Sequence, residues 1–389
     1  MEPLLRHFRA APSHGDAANR VLTAQYFAAA RAEITCWDGY APTPLHALGS
    51  TARELDLAAV HYKDEGPRFG LGSFKALGGA WAAQRVLQRQ LAEHLGHAVS
   101  LDDVRARRFP TAVAAITLVA ATDGNHGRAL AWGCERFGAR CRIYVHAHVS
   151  EKRAAAMRAF GADVVRIEGD YDASVALARE EAAANGWTVV SDTSWPGYTE
   201  IPRDVMAGYG VMIREVHDVL AAAPTHLFVQ GGVGGLAAAA AAASRQLWGA
   251  VAPRLVVVEP ALAPCLFASA RAGRPTPVAI EAETIMAGLS CGEPSPLAWE
   301  ILASEASDFL LVDDALIPPT VRRLAEPAAA DPRIEAGESG VAGLAALVAA
   351  ACDPALREAL GLDATARVLL IGSEGVTDPE IFADILGSL

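Results

Sequence analysis

Short apolar runs alternate along the chain with longer Ala- and Leu-rich amphipathic stretches, the pattern of strands separated by crossover helices in a mostly parallel sheet. The runs predict strands over Val113–Ala120, Cys141–Val145, Val164–Ile167, Thr188–Val190, His226–Val229, Leu255–Val258 and Val368–Ile371. Helices are predicted over Arg128–Phe137, Glu151–Phe160, Ala173–Ala184, Leu236–Trp248 and Val341–Ala351, which lack Pro and carry helix formers. Gly138, Gly161 and Gly186 follow three of them, where a left-handed residue stops a helix. Ala-Pro-Thr-Pro-Leu, ending at Leu45, reads as a turn into an extended segment, and Ser100–Arg108 as a charged surface insertion.

Composition narrows the class. At 389 residues the chain exceeds the length at which one core stops growing, so two intertwined domains are expected. Apolar residues at 52%, charged residues at 20% and the absence of low-complexity tracts fit a folded α/β enzyme. A net charge of −12 argues against nucleic acid or an anionic membrane as partner and for a small-molecule substrate. The first residues lack the apolar core of a signal peptide and no run is long enough to span a bilayer, so a cytoplasmic location is expected. The six cysteines form no Cys-x-x-Cys. Free thiols are the expectation, with a Cys265–Cys291 bridge as the alternative. His146 and His148 share a strand face without an acidic or Cys partner nearby in sequence, so no metal is expected.

Four segments carry candidate chemistry. Lys75, in Gly72-Ser73-Phe74-Lys75, stands at the mouth of a helix with Leu87, Leu91 and Leu95 on one face. A helix N-terminus and burial both disfavour an ammonium, and a neutral amine is what Schiff-base chemistry needs. Thr122-Asp123-Gly124-Asn125-His126 follows a buried strand and opens a helix, where free N–H groups attract an anion such as a substrate carboxylate. Gln230-Gly231-Gly232-Val233-Gly234-Gly235 lies between strand and helix and suits a phosphate. The same glycines also satisfy a dinucleotide fingerprint, with Glu259 where a ribose-binding acid stands, so a nicotinamide-dependent dehydrogenase stays open at this point. Finally, Leu369–Ile371 delivers Ser373 to a Gly-rich strand end.

Taken in order, these segments resemble the fold type II pyridoxal phosphate (PLP) enzymes, the tryptophan synthase β-like group. The resemblance is closest to the diaminopropionate ammonia-lyase family. It rests on Lys63-Asp64-Glu65-x-x-Arg68-Phe69-Gly70-Leu71 through Lys75, Thr122 to Gly127, and Asp192-Thr193-x-Trp195-x-Gly197-Tyr198-Thr199-x-Ile201-Pro202. Thr284 to Leu289, Cys291 to Pro294 and Gly337 to Gly340 belong to it too. The similarity runs from about Tyr40 to Asp378, with Ser373 in place of a Thr common in the family.

The resemblance implies two three-layer α/β/α domains with mostly parallel sheets: a large PLP-binding domain from residues 1–77 and 206–389, and a small one from 78–205. It implies PLP bound to Lys75, contacts to its ring from Asn125 and Ser373, and its phosphate on Gly231, Gly232, Val233, Gly234 and Gly235. Thr122, Asp123, Gly124, His126 and Asp192 would face the substrate. Related serine and threonine dehydratases place a hydroxyl where this chain has Asp123. An acid facing a carboxylate is repelled by roughly 4 kcal/mol at an effective dielectric near ~20, so its charge must serve the substrate's second amine or remove a Cα proton. The implied reaction is elimination of ammonia from 2,3-diaminopropionate, with Lys75 as base for the L isomer and Asp123 for the D isomer, in a homodimer. A serine or threonine dehydratase, another β-substituted amino acid lyase and a catalytically silent PLP-fold protein are the alternatives.

Overall fold

The computed structural model describes residues 4–122, 124–169, 171–328 and 330–387. The chain divides into two compact units, one of residues 1–27, 42–74 and 210–389, the other of 28–41 and 75–209. Each holds its own sheet.

The first unit carries seven strands in the spatial order Leu5–Arg9, Ala306–Val312, Arg254–Pro260, His226–Gln230, Arg367–Gly372, Ala59–Asp64 and Leu45–Ala47. Only the two edge strands run antiparallel to their neighbours. The central strands are buried on both faces, which is why they read as continuous apolar runs without alternation. Val60, Tyr62, Phe228, Val256, Val258, Leu310 and Leu370 share one core cluster with Leu344 and Leu347 of helix Ala342–Cys352.

Strand Leu45–Ala47 is the extended segment expected after the proline turn, whereas three strands of this sheet fall outside the sequence expectation, and in each of them charge hides the strand. Asp308 interrupts Ala306–Val312 but bonds the guanidinium of Arg254 and the ring of His7. Lys63, next to last in Ala59–Asp64, is buried and donates to Glu215 Oε2 at 2.5 Å and to the Thr43 carbonyl. Leu5–Arg9 is a basic edge strand, of the kind that discourages further pairing.

The second unit holds four parallel strands in the order Asp163–Arg166, Arg140–Val145, Thr117–Ala121 and Thr188–Val189. The expected strand from Val113 starts later, because Pro110 opens a helical turn that includes Val113. Gly138, Gly161 and Gly186 take positive φ after their helices. Helix Ala76–Leu95 packs closely on helix Asn125–Phe137: a Cβ at Gly133 would stand 2.7 Å from the Ala80 backbone, and one at Gly79 3.0 Å from Ala129 Cβ. This packing fixes Lys75 and Asn125, at the starts of the two helices, relative to each other.

Residues 28–41, which the resemblance assigns to the larger domain, fall in the second unit. Trp37 meets Trp132 and Phe137 edge-on, its centroid 5.9 Å from each, and donates to Gln84 Oε1. The Ser100–Arg108 segment contains a short helix, Leu101–Arg105, closed by a reciprocal capping box between Ser100 and Asp103.

Candidate active site

In the second unit, Lys75 is the residue before helix Ala76–Leu95, and its amine lies 2.5 Å from Asp192 Oδ2. Helix dipole and burial both disfavour the ammonium. The carboxylate opposes both and makes the two an ion pair. Burial works against the Asp192 charge, but Lys75 and then His126 hold its carboxyl well below the usual range.

His126 is buried and donates from Nε2 to the Val190 carbonyl at 2.8 Å, while its Nδ1 faces Asp192 Oδ2 at 3.9 Å. Burial lowers its pKa, with Lys75 adding and Asp192 opposing. Thr122 Oγ1 accepts from the amides of Gly124 and Gly127 at 3.1 and 3.2 Å and so shapes the turn into helix Asn125–Phe137. Asn125 is the first residue of that helix. Asp123 lies outside the described residues.

Tyr209 is a residue that sequence reasoning missed. Its ring packs on Gly78, one turn into the Lys75 helix, where a Cβ would come within 2.4 Å of it. The Lys75 amine is 6.0 Å from the ring centre. Burial pushes the Tyr209 phenol well above its ordinary pKa, and Lys75 pulls against that shift.

In the first unit, Gly231 to Gly235 join strand His226–Gln230 to helix Gly235–Trp248. Gly232 and Gly234 take φ of +58° and +99°, which side chains avoid. A Cβ at Gly231 would stand 2.5 Å from Glu259 Cγ, so the loop is pressed against the next strand. Gln230 anchors it from below, its amide nitrogen within hydrogen-bond reach of the carbonyls of Ser339, Gly340 and Ile371.

Ser373 is buried at the end of strand Arg367–Gly372, and its carbonyl accepts from Phe74, the residue before Lys75. Ser73 pairs with Glu374, and Gly375 donates to the Gly72 carbonyl, so the segment leading to Lys75 is stitched to the Ser373 loop. Two further sequence blocks meet here: Ser339 Oγ accepts from Gly288, and the Ser339 amide donates to Glu374. Upstream, Arg68 donates to both Glu65 and Glu215 in a buried cluster with Lys63 and Thr43. The acid-base alternation of Lys63-Asp64-Glu65-x-x-Arg68 was the available signal for that cluster.

The family model described as "Pyridoxal-phosphate dependent enzyme" matches residues 36–374. Diaminopropionate ammonia-lyase of Salmonella typhimurium is 38% identical over 357 residues, covering 89% of this chain and 88% of the relative. That of Escherichia coli K12 is 36% identical over 355 residues, covering 90% and 88%. The crystal structure of holo diaminopropionate ammonia lyase from Escherichia coli superposes with a TM-score of 0.90 at 33% identity, covering 99% of this chain and 97% of that one. The chain belongs to the diaminopropionate ammonia-lyase family.

Membership in this PLP-dependent ammonia-lyase family can be tested on the chain's own donors. The Gly231–Gly235 loop has positive φ at Gly232 and Gly234 and no room for a Cβ at Gly231, and it opens a helix whose first N–H groups suit a phosphate. Lys75 carries an amine at the start of a helix. These residues fit PLP.

The dinucleotide alternative loses its acid. Glu259 spends both carboxyl oxygens on the amides of Leu266 and Phe267, at 2.8 and 2.7 Å, at the start of helix Cys265–Ala272. Burial pushes its carboxyl up to about 8 against those two donors. Cys265 and Cys291 are free thiols beside the glycine loop: Cys265 Sγ meets the Gly232 carbonyl at 3.5 Å, and a Cβ at Gly232 would lie 3.7 Å from Cys291 Sγ.

Proposed function

We propose that the protein converts 2,3-diaminopropionate and one water to pyruvate and two ammonia. Membership of the diaminopropionate ammonia-lyase family supports this substrate, and the observation that carries it is the Lys75 amine held against the Asp192 carboxylate at the mouth of helix Ala76–Leu95.

In this reading Lys75 holds the PLP aldehyde, Gly231 to Gly235 its phosphate, and Asn125 and Ser373 its ring. PLP supplies the electron sink for charge developing at the substrate Cα. Thr122, Gly124 and His126 bind the substrate carboxylate side through the turn that Thr122 shapes. Asp192 orients the substrate amines and sets the charge of the Lys75 nitrogen. Lys75 takes the Cα proton of the L isomer and Asp123 that of the D isomer. The β-amine then leaves as ammonia, and hydrolysis completes pyruvate and the second ammonia. A cytoplasmic homodimer belongs to the same reading, and light scattering of the purified protein tests the dimer.

The decisive experiment supplies D- and L-diaminopropionate, D- and L-serine and L-threonine to the PLP-loaded protein and measures ammonia and keto acid. Two ammonia per pyruvate from at least one diaminopropionate isomer is expected, with Lys75→Ala losing both activity and the visible absorbance of bound cofactor. Asp123→Asn should lose the D isomer preferentially. Turnover of serine or threonine without diaminopropionate would move the assignment to a dehydratase.

A further inference from the structure

We infer that Tyr198 is a positioning residue that holds the Asp192 carboxylate on the Lys75 amine, an inference that rests on Lys75 as the cofactor lysine. Strand Thr188–Val189 pairs with its neighbour at only two positions, and the Val190 amide adds one bond to the Val119 carbonyl. Asp192 lies two residues farther on, and a different device holds it.

The device is a single hydroxyl. Tyr198 Oη accepts from the Ser191 amide at 3.0 Å and donates to the Val189 carbonyl at 2.8 Å, bracing the backbone on both sides of Val190. The Val190 carbonyl is the one His126 donates to. Beyond Asp192, the Thr193 amide donates to Ser191 Oγ at 3.2 Å. Asp192 therefore lies between Ser191 and Thr193, which are tied to each other, and Ser191 is tied to the phenol.

Tyr198 is itself fixed. Trp195 and Tyr198 exchange backbone hydrogen bonds of 3.3 and 2.9 Å around the turn, which Gly197 completes at φ +83°. Their rings stack 3.9 Å apart at 7°, with the Arg179 guanidinium 4.5 Å from the Trp195 ring centre. This accounts for the spacing Asp192-x-x-Trp195-x-Gly197-Tyr198: the turn returns a phenol to the strand end that presents the acid. Burial keeps that phenol protonated, with the Asp192 charge adding to the effect, so the donor to Val189 persists at neutral pH.

Among the described residues, several groups bear on the charge at Lys75. Asp192 faces it directly, His126 approaches from helix Asn125–Phe137 and Tyr209 from helix Glu200–Val219. With the carboxylate in place the protonated Lys75 nitrogen is favoured, and loosening Asp192 removes that support.

The test is the pH titration of the visible absorbance of the PLP-loaded protein, which reports protonation at the Lys75 nitrogen. Asp192→Asn should lower the midpoint by about one unit and Tyr198→Phe, which keeps the ring stack, by about half that. The double variant should titrate like Asp192→Asn alone, because the phenol acts through the acid. A purely structural tyrosine would lower the melting temperature and leave the midpoint where it was. If Tyr198→Phe gives no soluble protein, Trp195→Leu, which withdraws the stacking partner, should shift the midpoint in the same sense. An unmoved midpoint in Tyr198→Phe, or in Trp195→Leu where that replaces it, or additive shifts in the double variant, overturn the role of the phenol. An unmoved midpoint in Asp192→Asn itself overturns instead the pairing with a cofactor lysine.

Discussion

At Thr122 one hydroxyl oxygen organises the turn that opens helix Asn125–Phe137, accepting two amides from a site that is 5% exposed. Val has the same shape and no acceptor, so Thr122→Val leaves two amides seeking partners and should lower stability by about 1–3 kcal/mol. The loss in kcat/KM should be larger than that stability change alone produces, while Thr122→Ser retains most of both. Urea midpoints and steady-state rates on the same preparations check this, and equal behaviour of the Val and Ser variants would remove the hydroxyl from the account. The residues legible in the sequence are those whose type and immediate neighbours already imply chemistry, such as Lys75 before a helix and the glycines after a strand. Tyr198 stands in the matched motif without a role of its own, and Tyr209 carries no sequence signal. Their roles rest on contacts with Ser191, Val189 and Gly78, which appear only in the fold.

Elements are legible in the sequence where a segment is buried on both faces and hidden where a strand carries charge. Strand Arg254–Pro260 illustrates both outcomes, since its apolar run is plain but its final acid admits two readings. Glu259 after a Gly-rich loop suits a ribose, yet it caps helix Cys265–Ala272, and only the folded proximity of Leu266 and Phe267 decides between the two. The cap has a pH signature. Burial raises the Glu259 carboxyl from 4.5 to about 8, so the folded state binds the extra proton between those values. Its contribution to stability is full below about 4.5 and declines as pH rises toward about 8. Glu259→Gln cannot titrate, so the melting-temperature gap between parent and variant should narrow from pH 5 to pH 8. A constant gap across that range would mean that the two amides keep the carboxylate ionised throughout.

For the molecule as a whole, the parallel α/β class and its two-part build follow from the succession of apolar runs and from length, whereas the return of residues 28–41 to the second unit does not. That return is made by Trp37, Glu33 and Gln84, residues separated from their partners by long stretches of chain. The N-terminal strand of the first unit poses a similar problem, because Leu5–Arg9 pairs with a strand some 300 residues later. Beyond the backbone ladder, its side-chain tie to the sheet is Asp308, whose buried carboxylate receives Arg254 at 2.6 and 2.8 Å and His7 at 2.8 Å. Burial opposes that charge, but His7 and Arg254 hold the carboxyl below its ordinary range. A group depressed in this way stabilises the fold above its unfolded pKa of about 3.9 and loses that contribution as pH falls through the folded value. Asp308→Asn keeps the shape but leaves Arg254 facing a neutral amide in a dry site. Removing one partner of a buried pair costs about 3–5 kcal/mol, and the lower end applies here because Arg254 retains the carbonyls of Leu360 and Ala359. The stability difference between parent and variant should therefore be full at pH 7 and smaller at pH 3, below the unfolded pKa, where the unfolded chain's carboxyl takes up a proton. Denaturant melts at the two pH values measure it. A difference as wide at pH 3 as at pH 7 would mean that shape, and not charge, ties the first strand to the sheet.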